Sequence, residues 1–147
     1  MTSSSITYAS VRVELDHPIE TVWARIAAFG GLEHWADGVS ACSVEGEGVG
    51  AIRTVLREGR SVRERLEAID PVGYRLRYKI LPPHSLPADE VHGNIELCAP
   101  DEGSTEFMWH SDAIDFRVPP ETLGVAIERF YSASIDGLRR LFDEQRS

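Results

Sequence analysis

Residues 61–80, SVRERLEAIDPVGYRLRYKI, contain two stretches of alternating polarity joined by a short polar segment. In residues 74–80, apolar or aromatic side chains occupy every second position, and arginine or lysine fills the positions between them. A period of two places the apolar side chains on one face of a β-sheet. The joining segment 70–73, DPVG, has the proline and glycine of a tight turn. The two stretches are therefore predicted to form neighbouring antiparallel strands.

Similar strand patterns flank this hairpin on both sides. Seven strands are predicted, at residues 6–16, 39–45, 51–57, 61–70, 74–80, 90–98 and 105–116. Consecutive strands joined by short loops favour antiparallel pairing. After the first strand, His17-Pro18 begins a short helix over residues 18–28, and residues 32–35 could form one more helical turn.

The C-terminal part of the chain has a helical pattern. Pro119-Pro120-Glu121 begins a long helix, whose apolar side chains recur at spacings of three and four residues. A sheet with one apolar face must cover that face, and this helix is the obvious cover. The predicted fold is α+β: a seven-stranded curved antiparallel sheet wrapped around a long C-terminal helix, with two short helices after the first strand. Residues 1–147 are expected to form a single domain.

The charge and the motif content exclude several classes of partner. The formal net charge is −9, whereas proteins that bind nucleic acid or anionic membranes usually present a basic surface. No metal-binding or phosphate-binding spacing occurs, so neither a metal nor a cofactor is expected. Cys42 and Cys98 do not form a close pair and are expected to be reduced thiols. No signal peptide or membrane span is recognisable, and we expect a cytoplasmic monomer or homodimer.

Six short segments resemble the START-like or SRPBCC superfamily, in particular its polyketide cyclase/dehydrase-like branch. They are Trp23, GLEHW at 31–35, VGAIR at 49–53, ERLE at 64–67, Leu86-Pro87 and GLRRL at 137–141. The resemblance extends over nearly the whole chain. It implies the helix-grip fold, with a cavity between the sheet and the long helix that is gated by the loops after the third and fifth strands. The glutamate of the matching Glu-Arg-Leu motif faces the ligand in the family's hormone receptors, which implies the same of Glu64.

Glu64 is also a candidate catalytic residue on the alternation alone. It shares the apolar face of its strand with Val62 and Leu66, so that a carboxylate lies on an otherwise apolar surface. Desolvation raises the pKa of such a carboxyl group, which suits an acid or base near neutral pH. The alternative is a structural ion pair with an inward arginine, such as Arg53 or Arg57.

The last strand leaves two registers open. If Gly93 lies opposite His110, the imidazole points into the cavity over a glycine that leaves it space. A slip of one residue would put Trp109 inside instead. Matching the strand to the receptor relatives favours His110 inward. His110 and Asp112, which lies on the same face, are therefore predicted as catalytic residues together with Glu64.

Ten further residues are predicted to bind the substrate. The Tyr78 hydroxyl would orient a ligand carbonyl, and Arg57, near the gate, would hold an acidic group. The other eight are predicted to line the cavity: Trp35, Val62, Leu66, Ile80, Val91, Met108, Phe130 and Ser134.

Two functions of different classes fit this pattern. The leading hypothesis is a cofactor-independent cyclase, dehydratase or lyase acting on a small aromatic or polyketide-like molecule. In it, Glu64 and His110 would transfer protons or polarise a carbonyl, assisted by Asp112. The alternative is a non-catalytic binder, carrier or sensor of a small hydrophobic ligand. A third possibility, an interaction domain for a protein partner, would show an exposed apolar patch and a filled interior.

Overall fold

The computed structural model describes residues 4–146 and contains one seven-stranded sheet and two α-helices. The strands are β1 (Ile6–Leu15), β2 (Val39–Glu45), β3 (Ile52–Arg57), β4 (Arg60–Asp70), β5 (Arg75–Ile80), β6 (Asp89–Asp101) and β7 (Ser104–Ile114). The helices are α1 (Ile19–Ala27) and α2 (Pro120–Arg146). Their arrangement confirms the predicted helix-grip fold. The second predicted short helix is a single 3₁₀ turn, Leu32–His34.

The sheet is antiparallel throughout, and its strand order is β1-β7-β6-β5-β4-β3-β2. Register shifts interrupt several pairs, including one between Leu66 and Ala68 in β4. Such bulges bend and twist a strand, which helps the sheet to curve around α2. Strict alternation would place Ala68 on the same face as Leu66. Because of the bulge, Ala68 instead pairs with Arg77, and Ile69 pairs with the buried Leu76.

Helix α2 lies along the concave face of the sheet, which we call the inner face; the opposite face is the outer face. The C-terminal half of the helix buries Ile135, Leu138 and Phe142 in the main core. Fully burying a side chain of this kind contributes about 1.5–3 kcal/mol. Near the start of the helix, Leu123 belongs to a second, smaller cluster. The core is therefore densest toward the C-terminal end of α2. Among the described residues, neither helix has the long apolar stretch needed to cross a bilayer.

The pairing of β6 with β7 settles the register that the sequence left open. Gly93 lies opposite Ser111, not opposite His110. The prediction that His110 faces the cavity is therefore wrong, and Trp109 occupies the inner face. A contact and the burial of a large side chain explain this register. The space over Gly93 is filled by the ring of Tyr78, its partner on β5. Trp109, which is 2% exposed, also buries far more apolar surface than a histidine could.

Candidate functional site

A cavity of about 690 Å³ lies between the inner face of the sheet and the N-terminal half of α2. Its wall is mostly apolar, with Leu32, Val55, Val62, Ile80, Leu86, Trp109, Leu123, Ala126, Ile127 and Phe130. Exposed residues of the β3–β4 turn and residues of the β5–β6 loop also line it. These are the loops after the third and fifth strands, where the resemblance placed the gate. We call this end of the cavity the rim.

The interior of the cavity contains one buried ion pair. The Nε of Arg53 donates to Oε1 of Glu64 at 2.7 Å, and its Nη1 donates to the carbonyl oxygen of Phe29 at 2.8 Å. The two charged side chains are only 6% and 11% exposed. The guanidinium also lies 4.2 Å from the centre of the Phe29 ring and 4.7 Å from that of Tyr78. Glu64 therefore has the structural partner that was the alternative to a catalytic role, and the pair is electrically neutral.

A group of aromatic side chains forms the floor of the cavity. Trp109 Nε1 donates to the Tyr78 hydroxyl at 3.1 Å. The Trp109 ring stacks on Tyr131, with ring centres 4.0 Å apart and planes 9° apart. Burial raises the pKa of Tyr78 well above its ordinary value, and the nearby Glu64 carboxylate adds to this effect. Tyr78 is therefore a neutral phenol, which suits hydrogen bonding to a ligand and not proton abstraction.

The rim has a different character, because it is rich in hydrogen-bond donors. Arg57 donates from Nε to the carbonyl oxygen of Asp37 at 3.0 Å, and its guanidinium lies 4.5 Å from the centre of the Phe130 ring. His84, in the β5–β6 loop, accepts a hydrogen bond at Nδ1 from the backbone N–H of Leu86 at 3.2 Å. Desolvation lowers the pKa of His84. This lowering favours the neutral imidazole.

The site prediction missed several polar residues that line the cavity, among them His84, Arg53 and Arg60. Sequence reasoning assigned His84 to a surface loop. The available signal was its position between Pro83 and Leu86, inside the loop expected to gate the cavity. Arg53 had been considered only as a partner for Glu64, and its part in the cavity wall depends on how β3 pairs with β4.

Two of the three predicted catalytic residues lie on the outer face of the sheet. His110 pairs with Glu96, with 2.9 Å between Nε2 and Oε2. Asp112 accepts two hydrogen bonds from Arg77, at 2.8 and 3.0 Å, and one from Asn94 at 2.9 Å. Desolvation raises the pKa of Asp112, but the hydrogen bonds from Arg77, Ser5 and Asn94 outweigh it and bring the pKa to about 2. The sheet separates both residues from the cavity, so the prediction that they face it is wrong.

The predicted binding residues divide into two groups. Those that line the cavity, together with Glu64, are Arg57, Val62, Tyr78, Ile80 and Phe130. Five others lie elsewhere: Trp35, Leu66, Val91, Met108 and Ser134. Trp35, Leu66 and Val91 are buried in the two apolar clusters. Met108 lies on the outer face, near Arg12.

Ser134 was expected to reach the cavity from α2, but it bonds to the backbone instead. Its Oγ accepts a hydrogen bond from the backbone N–H of Asp37 at 2.9 Å. This bond ties the long helix to the segment that follows the 3₁₀ turn. The hydroxyl is therefore used in holding two elements together.

The family of the chain follows from its sequence. Residues 7–143 match the family model described as polyketide cyclase / dehydrase and lipid transport. The chain belongs to this family. Membership confirms the resemblance to the SRPBCC superfamily, and it agrees with a cavity bounded by the sheet and the long helix. No curated protein matches the chain.

Solved structures of the same fold are numerous. An uncharacterized protein from Bacillus thuringiensis superposes with a TM-score of 0.80 at 18% identity, over 95% of this chain and 98% of that one. The protein XoxI from Bacillus cereus has a TM-score of 0.82 at 18% identity, over 98% and 99%. A protein from Thermobifida fusca has a TM-score of 0.74 at 23% identity, over 89% of both chains. At these identities the likeness establishes the fold alone.

Proposed function

We propose that this member of the polyketide cyclase / dehydrase and lipid transport family binds a small, largely apolar molecule in its cavity, as a carrier or sensor. The observation that carries the proposal is the composition of the cavity. Its wall is mostly apolar, and the ionisable side chains of its interior, Arg53 and Glu64, pair with each other.

The size of the cavity supports this function. Pockets that hold small organic ligands commonly have volumes of about 300–1,000 Å³ and a few well-placed polar groups in an apolar wall. The present cavity, at about 690 Å³, lies within that range. The neutral hydroxyl of Tyr78 and the buried ion pair would orient a polar atom of the ligand, while Val62 and Ile127 contact its apolar part.

The chemistry of the interior argues against the leading enzymatic hypothesis. That hypothesis required Glu64 and His110 to act on one substrate. His110 lies on the other side of the sheet, and the charge of Glu64 is balanced by Arg53 at 2.7 Å. The Oε1 atom of Glu64 is thus occupied by the hydrogen bond from Arg53.

A cyclase or dehydratase that relies on Glu64 alone is the second candidate. One observation favours it: Glu64 lines the cavity, and its hydrogen bonds to residues 4–146 use Oε1 only. The other oxygen would accept a proton from a carbon next to a ligand carbonyl, which the Tyr78 phenol would polarise.

Binding is tested with the neutral fluorescent probe N-phenyl-1-naphthylamine. We expect saturable binding to the wild-type protein and a large loss of affinity in Val62→Phe, because the larger side chain occupies the cavity. Val72→Phe is the matched control, since Val72 is 89% exposed in a turn. His110→Ala is a second control on the outer face. Equal affinity of the probe for Val62→Phe and Val72→Phe would refute binding in this cavity.

The enzymatic candidate is tested by proton exchange. The model ketone 1-tetralone is incubated with the protein in D₂O, and deuterium incorporation next to its carbonyl is followed by NMR. A carrier gives no exchange above the buffer rate. Exchange that is catalysed by the wild-type protein and abolished in Glu64→Gln would establish the second candidate in place of the first.

A further inference from the structure

The turn between β3 and β4 brings two arginines together. Its two central residues, Glu58 and Gly59, have positive φ angles of 51° and 77°. This is the backbone of the two-residue hairpin turn that matches the twist of the flanking strands. The residues on either side, Arg57 and Arg60, are therefore direct cross-strand partners. Cross-strand partners project to the same face, which here is the inner face.

This placement is unfavourable in the free protein. Like charges directly opposite one another destabilise a sheet. Arg60 makes no ion pair within residues 4–146. Arg57 has acidic neighbours, but its charged nitrogens lie 3.7 Å from Asp37 and 3.8 Å from Glu58, both of which are exposed. Within residues 4–146, Arg60 is therefore the member of this pair whose charge has no acidic partner.

Both arginines line the rim of the cavity. Arg57 is held across the entrance by the Phe130 ring and the Asp37 carbonyl. His84 lines the same cavity from the β5–β6 loop. The interior pair is neutral, so the charged side chains left at the rim are two arginines and Glu58. These lining side chains sum to one positive charge, part of which Asp37 offsets at 3.7 Å from Arg57, in a protein whose net charge is −9.

We infer that the ligand is amphipathic, with an anionic head group held between Arg57 and Arg60 and an apolar body inside the cavity. A carboxylate, sulfonate or phosphate would relieve the repulsion, because planar guanidinium groups bind such anions through two parallel hydrogen bonds. This inference rests on the proposed function for the apolar body, and adds the chemical class of the head group.

The inference is tested with two probes that share one ring skeleton. The anionic probe 1-anilinonaphthalene-8-sulfonate differs from N-phenyl-1-naphthylamine by a sulfonate. We expect the ratio of the two affinities to shift against the anionic probe by about three- to fivefold in Arg57→Gln and in Arg60→Gln. Both arginines line the cavity, so the ratio is used to cancel any change in binding of the apolar part that the two probes share. Arg63→Gln is the matched control, because Arg63 is an exposed arginine on the outer face of the same hairpin.

A second measurement separates binding from a structural role. If Arg60 binds the anion, Arg60→Gln should leave the melting temperature of the free protein unchanged or raise it, because the repulsion between Arg57 and Arg60 is removed. A fall in melting temperature together with equal losses for both probes would show a structural role and overturn the inference.

The outcomes distinguish this inference from the proposed function. In one outcome, Val62→Phe abolishes binding of the neutral probe, but neither arginine variant changes the affinity ratio. That result overturns the anionic head group and leaves the proposed function standing. In another outcome, the affinity ratio changes in the arginine variants, but Val62→Phe does not alter the affinity of the neutral probe. That result supports the anion site and overturns binding in the cavity. Failure of both probes to bind the wild-type protein overturns both.

Discussion

Replacing Glu64 with leucine is expected to lower the free energy of unfolding by about 3–5 kcal/mol. The change removes the carboxylate and leaves the Arg53 guanidinium without its anion. Arg53 is 5% exposed, so solvent compensates only in part for the lost partner. A folded domain has a total stability of only about 5–15 kcal/mol, which makes this a severe loss for a change of one side chain.

The structure predicts a graded series around this pair. Glu64→Gln should lower the free energy of unfolding by less, about 1–3 kcal/mol, because the amide oxygen can still accept the hydrogen bond from Nε of Arg53. The double variant Arg53→Met/Glu64→Leu should recover most of the loss, since replacing a buried pair by apolar side chains is often close to neutral. The Phe29 carbonyl, which loses its bond from Nη1, limits that recovery.

The assay is equilibrium unfolding in urea, followed by the fluorescence of the buried tryptophans and by circular dichroism. Glu67→Leu is the control, because Glu67 pairs with Arg65 on the solvent-facing side of the same strand. Its removal should change the midpoint little. A double variant as unstable as the sum of the two single variants would refute the reasoning, since it would show no coupling between the two side chains.

Two further predictions concern the register of the sheet and the acidic network on its outer face. Gly93→Ala should lower the free energy of unfolding by about 1–3 kcal/mol, because its Cβ would overlap the Tyr78 ring; an unchanged urea midpoint would contradict this packing. Asp112 should make the free energy of unfolding depend on pH in the acidic range, because the pKa of its carboxyl group falls from 3.8 to about 2 on folding. Its ionised form stabilises the fold fully above about pH 4, and this contribution is lost as the pH falls toward 2. Asp112→Asn should therefore flatten the decline of the urea midpoint between those pH values, and an unaltered slope would exclude this linkage.

The strands and the long helix were predictable because their signals are local. The alternation in residues 74–80 and the turn before it need no distant partner, and the structure has β5 at Arg75–Ile80. The spacing of apolar side chains likewise predicted α2. The position of the two loops at the cavity entrance was implied by the family resemblance, and the structure has residues of both loops at the rim.

The candidate site was less predictable, because each error arose from a contact between distant residues. Whether His110 or Trp109 faces inward depends on which strand neighbour fills the space over Gly93. That neighbour is Tyr78 on β5. The bulge after Leu66 had no signal in the sequence, and the assignment of Ser134 to the cavity failed because its partner, Asp37, lies on another element.

The sequence by itself determined that Glu64 lies on the apolar face of its strand, because alternation along one strand is a local property. It also determined that a long amphipathic helix must cover that face. Only the tertiary structure decided that Arg53 is the partner of Glu64, that Arg57 and Arg60 meet at the rim, and that His110 is outside. These depend on how strands pair, and a shift of one residue in pairing moves every side chain of a strand to the other face.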